Sequence, residues 1–390
     1  MPKLSPNLDL LRGESAYEVL ARANELEAQG RSIVHLEIGQ PDFATPEHIV
    51  EAGVRALRDG KTKYNPTLGI PEFRKAITEH IGETHGIEVS PHMVAVTPSG
   101  KTGLFLIVSA VAGAGDEVIY PNPGFPTYED VIKLSGAVPR PVRLSETNQF
   151  SFDLDALRGL ISGRTKLILI NSPSNPTGGV MSEEDLRAIY EVIQDKDIWI
   201  LSDEIYSRLV YDGLVRAPSI YSIPGVADRT FILDGFSKTY SMTGWRLGFF
   251  VFPKEFETRI DKLLVNAVGC TATFTQYAGL AALTGPQNDV IKMRDEFQKR
   301  RDFVVDALNA IPGIHCAKPR GAFYVFPNIT ETGKRSDELS RVLLEDAGVA
   351  LLSGTAFGAY GEGYIRISYA TSMENLKVGL ERIKKAISVL

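Results

Sequence analysis

Cysteine is scarce: the 390 residues hold two, Cys270 and Cys316. Two such distant thiols make neither a disulfide framework nor a paired metal-ligand motif, so no metal is expected, and both read as small core residues in a reducing compartment. Long hydrophobic runs are also missing. The longest, residues 104–112, falls far short of the roughly 20 needed to span a bilayer. Residues 1–11 hold no apolar core of a signal peptide. The expected location is therefore the cytoplasm, with no membrane partner, and the acceptor-like Asn328-Ile329-Thr330 carries no weight there. Charge of one sign is not concentrated either: 42 Lys and Arg against 48 Asp and Glu leave −6, which argues against a nucleic-acid partner. No Gly-x-Gly-x-x-Gly run follows a strand pattern, which weakens a dinucleotide reading. Repeats, low-complexity tracts and linkers are missing too.

What is present is 44% hydrophobic content over a length that fits one large domain and a smaller one. Short buried-strand patterns at 93–97, 117–120, 166–170, 197–201 and 230–233 are interleaved with amphipathic helical patterns at 47–59, 72–81, 104–112 and 289–310, which reads as α/β. Further strands are expected at 33–38, 319–326 and 364–370, and helices at 17–29 and 336–347.

In open α/β sheets, ligands gather beyond the carboxyl ends of the strands. The run 230–233 leads into Phe236-Ser237-Lys238-Thr239, with Gly244-Trp245-Arg246-Leu247-Gly248 close behind. A lysine in an apolar, hydroxyl-lined loop loses its proton cheaply and condenses with an aldehyde, while an arginine grips an anion bidentately. The pair suggests a covalently held, anionic aldehyde cofactor. Beyond 93–97 stand Ser99, Gly100 and Lys101, opening a helix whose free N–H groups form a phosphate cradle. A nucleotide P-loop is excluded, because Ala95 stands where its first glycine belongs.

Beyond 117–120 comes Phe125, an aromatic that can simply pack. Beyond 166–170, Asn175 sits in a stiff turn with two X-Pro bonds, possible cis sites. Beyond 197–201 come Asp203, alone readable as a helix cap, and Tyr206. Gly39, ahead of Pro41, is either loop punctuation or a point of close backbone approach to a substrate, and Tyr64 in a proline-bounded loop can merely pack. Arg366 in the strand at 364–370 needs either an internal ion pair or a ligand carboxylate.

The string Ser-Lys-x-x-x-x-x-Gly-Trp-Arg-Leu-Gly, with the gap-free Asn-Pro-Thr-Gly box at 175–178, resembles the class I/II aminotransferases of aspartate/aromatic type, which use pyridoxal 5'-phosphate (PLP) on the fold-type-I scaffold. The likeness runs from Tyr17 to Ala370. It implies a large PLP-binding domain, 48–288, with a mostly parallel sheet flanked by helices, and a smaller α+β domain of 1–47 and 289–390. It implies transfer of an amino group between an L-amino acid and a 2-oxo acid by ping-pong exchange. Lys238 would be catalytic and carry PLP as a Schiff base; Ser99, Gly100, Lys101, Ser237 and Arg246 would hold the cofactor, and Phe125 would stack on its ring. Asp203 would meet the pyridinium N–H, and Asn175 and Tyr206 the phenolic oxygen. Arg366, Asn175 and the Gly39 backbone would dock the substrate carboxylate. Tyr64 would reach the neighbouring site's phosphate in a homodimer.

Two features leave the donor open. Many relatives carry tryptophan at the position of Phe125, and no second basic residue for a side-chain carboxylate can be placed, so aspartate, aromatic and neutral donors all stand. A carbon–sulfur β-lyase or a cyclopropane-carboxylate synthase would share the cofactor residues. A non-catalytic regulator on the same scaffold would need an extra DNA-binding segment, for which the chain leaves no room.

Overall fold

The computed structural model describes residues 3–13 and 15–389; residues 1, 2 and 390, the outer ends of the expected small domain, lie outside this range. Seven strands pair side by side: β2 (Val94–Thr97), β3 (Glu117–Asn122), β4 (Val138–Arg143), β5 (Thr165–Asn171), β6 (Trp199–Asp203), β7 (Thr230–Gly235) and β8 (Gly248–Val251), with β1 (Val34–His35) elsewhere. Their order is β2-β8-β7-β6-β5-β3-β4. Successive residues of a strand face opposite sides of a sheet, so a strand apolar at every position must be covered twice. In β5, Leu167 and Leu169 join one core with Leu104 and Ile107 of the helix Gly100–Val111, while Ile168 and Ile170 join another with Leu186 and Ile189 of the helix Glu183–Ile193.

Two of these strands are not anticipated above. β4 reads Val-Pro-Arg-Pro-Val-Arg and pairs with β3 alone. Proline donates no ladder hydrogen bond, so such a sequence survives only at an edge. β8 is four residues directly after the lysine motif, and it runs antiparallel to both β2 and β7 while the other pairings are parallel. The third correction matters more for chemistry: the strand expected at 197–201 is Trp199–Asp203, so Asp203 is its last residue rather than a loop residue.

A second core gathers residues from both ends of the chain. Val34 and Leu36 pack with Phe297 of the long helix Asn288–Asn309, with Leu343, and with Ile367 and Leu380. The pairing is sparse. β1 runs parallel to β10 (Val349–Ala350), and β11 (Leu352–Ser353) and β9 (Tyr324–Val325) flank β12 (Ile365–Ser368) antiparallel. The strands expected at 33–38 and 319–326 thus shrink to two residues each. Tyr206, Leu209 and Tyr211, from the loop after β6, also enter this core, which joins it directly to the carboxyl ends of the large sheet.

Candidate active site

A cavity of about 1490 Å³ opens where these carboxyl ends meet the second core. Among the described residues four bases and one acid line it: Lys101, Lys238, Arg246 and Arg366 against Asp203. Such a site favours anions.

The cradle expected after β2 is built as a helix start. Ser99 caps the helix Gly100–Val111, its Oγ accepting from the Thr102 N–H at 3.2 Å, and Ser99, Gly100 and Lys101 all line the cavity. β8 presses against this turn. A Cβ on Gly248 would stand 2.6 Å from the Gly100 nitrogen and 2.7 Å from the Ser99 carbonyl carbon, so only glycine lets the strand approach. Backbone cannot swing aside as a side chain can. Gly248→Ala is therefore expected to overpack the turn by about 1–3 kcal/mol and weaken PLP binding about tenfold or more while far-UV circular dichroism stays unchanged; cofactor titration of the apoprotein checks it.

Beyond β7, the short helix Phe236–Thr239 carries Ser237 and Lys238 into the cavity. Lys238 Nζ donates to the Gly39 carbonyl at 2.6 Å, linking the large sheet to the segment after β1. Arg246 is held with φ 55°, a left-handed conformation uncommon outside glycine and found preferentially at functional sites; its guanidinium donates to the Thr243 carbonyl at 2.8 Å and lines the cavity.

Both X-Pro bonds of the Asn175 turn, Ser172–Pro173 and Asn175–Pro176, are cis. Asn175 N–H donates to Asn171 Oδ1 at 3.0 Å, and Asn175 Oδ1 accepts from Arg366 Nη1 at 3.3 Å. Arg366, 3% exposed on β12, also donates to the Glu37 carbonyl and lies between the rings of Tyr324 and Phe357, at 4.6 and 4.9 Å from their centroids. Aromatic faces steady a buried guanidinium.

Asp203 is 7% exposed. Its Oδ2 accepts from the Tyr128 hydroxyl at 2.7 Å and its Oδ1 from the Ile205 N–H at 3.2 Å. Burial still raises its pKa to about 6 despite both donors. Glu204, the next residue, meets the opposite environment: burial works against its charge, yet His85 Nε2 at 3.0 Å, Arg216 and Ser219 bring its pKa down to about 2. Burial opposes the charge of the first acid, while the neighbours of the second hold its charge.

Phe125 lines the cavity edge-to-face with Tyr128, centroids 5.6 Å apart, and the Lys101 ammonium stands 5.2 Å from the Phe125 centroid. The Tyr206 hydroxyl lies 2.8 Å from that of Tyr324. Of the residues singled out above, Tyr64 stands apart: it is 96% exposed and outside the cavity. Sequence reasoning missed Tyr128, Tyr324 and the placement of the Lys101 side chain. Only the spacing of Tyr128, one helical turn from Phe125, offered a clue.

Residues 31–383 match the family described as aminotransferase class I and II. The chain belongs to that family. A probable aspartate/prephenate aminotransferase of Aquifex aeolicus is 42% identical over 390 residues, covering 98% of each chain. Among solved structures, an aspartate aminotransferase from Thermus thermophilus with maleate superposes with a TM-score of 0.94 at 36% identity, covering 99% of this chain and 100% of that one. An alanine aminotransferase from Pyrococcus furiosus gives 0.94 at 35% identity, covering all of both chains. The fold is thus that of the fold-type-I aminotransferases, and the protein is a PLP-dependent aminotransferase, as the motif resemblance implied. Among its described residues no helix is long and apolar enough to cross a membrane.

The residues of this aminotransferase fit PLP on chemical grounds. A buried carboxylate whose pKa burial has raised gains most from a cationic ring N–H, a helix start with an adjacent arginine suits a phosphate, and a lysine amine lies across the same cavity.

Proposed function

We propose that this aminotransferase takes a dicarboxylic amino acid as donor and a 2-oxo acid as acceptor, with Lys238 bonded to the cofactor. The observation that carries the substrate reading is the position of Lys101. Lys101 lines the same cavity as Arg246, Lys238 and Arg366, and its ammonium stands over the Phe125 ring, 5.2 Å from the centroid. The backbone of Lys101 belongs to the cradle while its side chain meets the second carboxylate. The relatives described as aspartate aminotransferases, one of them with maleate, a dicarboxylate, support the same choice.

PLP, when bound, supplies an electron sink for the charge left as the substrate's α-proton departs. The chain does the rest. Asp203 would keep the ring nitrogen protonated, Phe125 would pack on the ring, and Asn175 and Tyr206 would donate to the phenolic oxygen. Arg366, Asn175 and the Gly39 carbonyl region orient the α-carboxylate and amine. The Lys238 amine would carry the proton from the substrate's α-carbon. The exposure and placement of Tyr64 suit a residue that serves the partner's site in a homodimer. The smaller domain, 1–47 and 289–390, would close over the substrate and exclude water.

The test is a donor screen on PLP-loaded protein, followed at the cofactor's absorption bands. Aspartate and glutamate should convert the cofactor to its amine form fastest. Lys101→Met should lower kcat/KM for both about 10- to 100-fold, the worth of a charged hydrogen bond, and change alanine and phenylalanine little. Equal losses for all donors, or a wild-type preference for neutral ones, would overturn the dicarboxylate reading. Ammonia released without an acceptor would point instead to a lyase.

A further inference from the structure

Tyr324 touches three groups that the proposed function uses separately. Its hydroxyl is 2.8 Å from that of Tyr206. Its ring lies under the Arg366 guanidinium, 4.6 Å from centroid to carbon. Its hydroxyl also fills the space where a side chain on Gly39 would begin, and the Gly39 carbonyl is the one that accepts from Lys238. Tyr324 sits on β9, paired with Ser368 of β12 beside the arginine strand, so its place follows the second core rather than the large sheet.

We propose that Tyr324 is a positioning residue with two roles, its ring holding the arginine of the substrate-carboxylate clamp and its hydroxyl supporting the hydrogen bond that Tyr206 would give to the cofactor's phenolic oxygen. This inference rests on the roles given above to Tyr206 and Arg366. The directions of the hydrogen bonds follow from proton supply. Burial keeps Tyr206 neutral, holding its pKa well above the ordinary value, so it has one proton to give. If that proton goes to the phenolic oxygen, only Tyr324 can donate between the two hydroxyls. A donor on the Tyr206 oxygen makes Tyr206 a stronger donor in turn. The charged groups near the pair are Arg366 on β12, Asp203 on β6, Lys238 after β7 and Glu37 after β1, whose carboxylate is turned to His35 at 2.8 Å. The ring beneath Arg366 gives the same side chain a separate contact with the carboxylate clamp.

The experiment separates hydroxyl from ring. In Tyr324→Phe the ring stays under Arg366 while Tyr206 loses its donor and gives a weaker hydrogen bond. The phenolic oxygen then holds the proton it shares with the Lys238 nitrogen more tightly. The midpoint of the absorption–pH titration should rise by about half a pH unit or more, with affinity for a dicarboxylate inhibitor such as maleate unchanged. Gly39→Ala, whose methyl displaces the hydroxyl, should raise the midpoint likewise. Tyr324→Leu should add about a tenfold loss of maleate affinity, since the ring is gone. An unchanged midpoint in Tyr324→Phe, or a loss of maleate affinity as large in Tyr324→Phe as in Tyr324→Leu, would overturn the proposal, and if Tyr324→Leu does not fold the other two variants decide. Borohydride trapping with peptide mapping is run on wild type alongside. Cofactor on a residue other than Lys238 would sink the proposed function itself, a separate outcome from an unmoved midpoint with cofactor on Lys238.

Discussion

Lys238→Ala is expected to slow amino-group transfer by about 10⁴-fold or more, because one substitution removes both a covalent anchor and a general acid–base group, the latter alone contributing about 10²- to 10⁴-fold. The loss should fall on chemistry rather than on folding. Lys238 is half-buried and its nitrogen donates to the Gly39 carbonyl, an oxygen that water can serve once the side chain is gone. The cradle, Asp203 and Phe125 are untouched, so PLP should still bind, now non-covalently. Rapid mixing of the loaded variant with aspartate reads the half-reaction directly, and borohydride should leave no cofactor on the chain. A variant that kept its rate within tenfold of wild type would rule out Lys238 as the proton carrier.

Asp203→Asn should act in opposite directions on the two forms of the protein. In the apoprotein the folded-state pKa of Asp203 is raised to about 6 from an ordinary 3.8, burial being the cause. Below the ordinary value the carboxyl is protonated whether the chain is folded or not, and it costs nothing. Between about 4 and 6 the folded chain holds a proton that the unfolded chain has released, so stability falls as pH rises; above 6 the full penalty of about 3 kcal/mol is present. Asparagine keeps an oxygen for the Tyr128 hydroxyl and carries no charge. The apo variant is therefore expected to resist urea better than wild type at pH 7.5 and to match it near pH 4. On the proposed reading the carboxylate would partner the ring N–H in the loaded enzyme, and an opposite charge is worth about one to three pKa units to its neighbour, so transfer should slow by about 10- to 10³-fold. Apo and loaded variants shifting in the same direction would show that Asp203 does not face the ring nitrogen.

The chemical kit of this aminotransferase was legible in its sequence. The lysine motif, the helix start at Ser99, Phe125 and Asp203 each stand at or just beyond the end of an apolar run whose carboxyl end faces the ligand crevice of an α/β sheet. Local pattern therefore pointed to an anionic aldehyde cofactor through the lysine and arginine, and the family resemblance supplied the expected roles of the others. Tertiary structure decided which of them touch. Tyr128 donates to Asp203 from 75 residues away, Tyr324 meets Tyr206 across 118, and Arg366 reaches Asn175 across 191. Those separations close only through strand order: β3, β5 and β6 stand side by side, and β12 sits on a core assembled from both chain ends. Hydrophobic periodicity says which face of an element is buried but not what lies against it. For the same reason β4 and β8 went unread: one is an edge strand broken by prolines and the other a four-residue strand, and only their neighbours hold them in place.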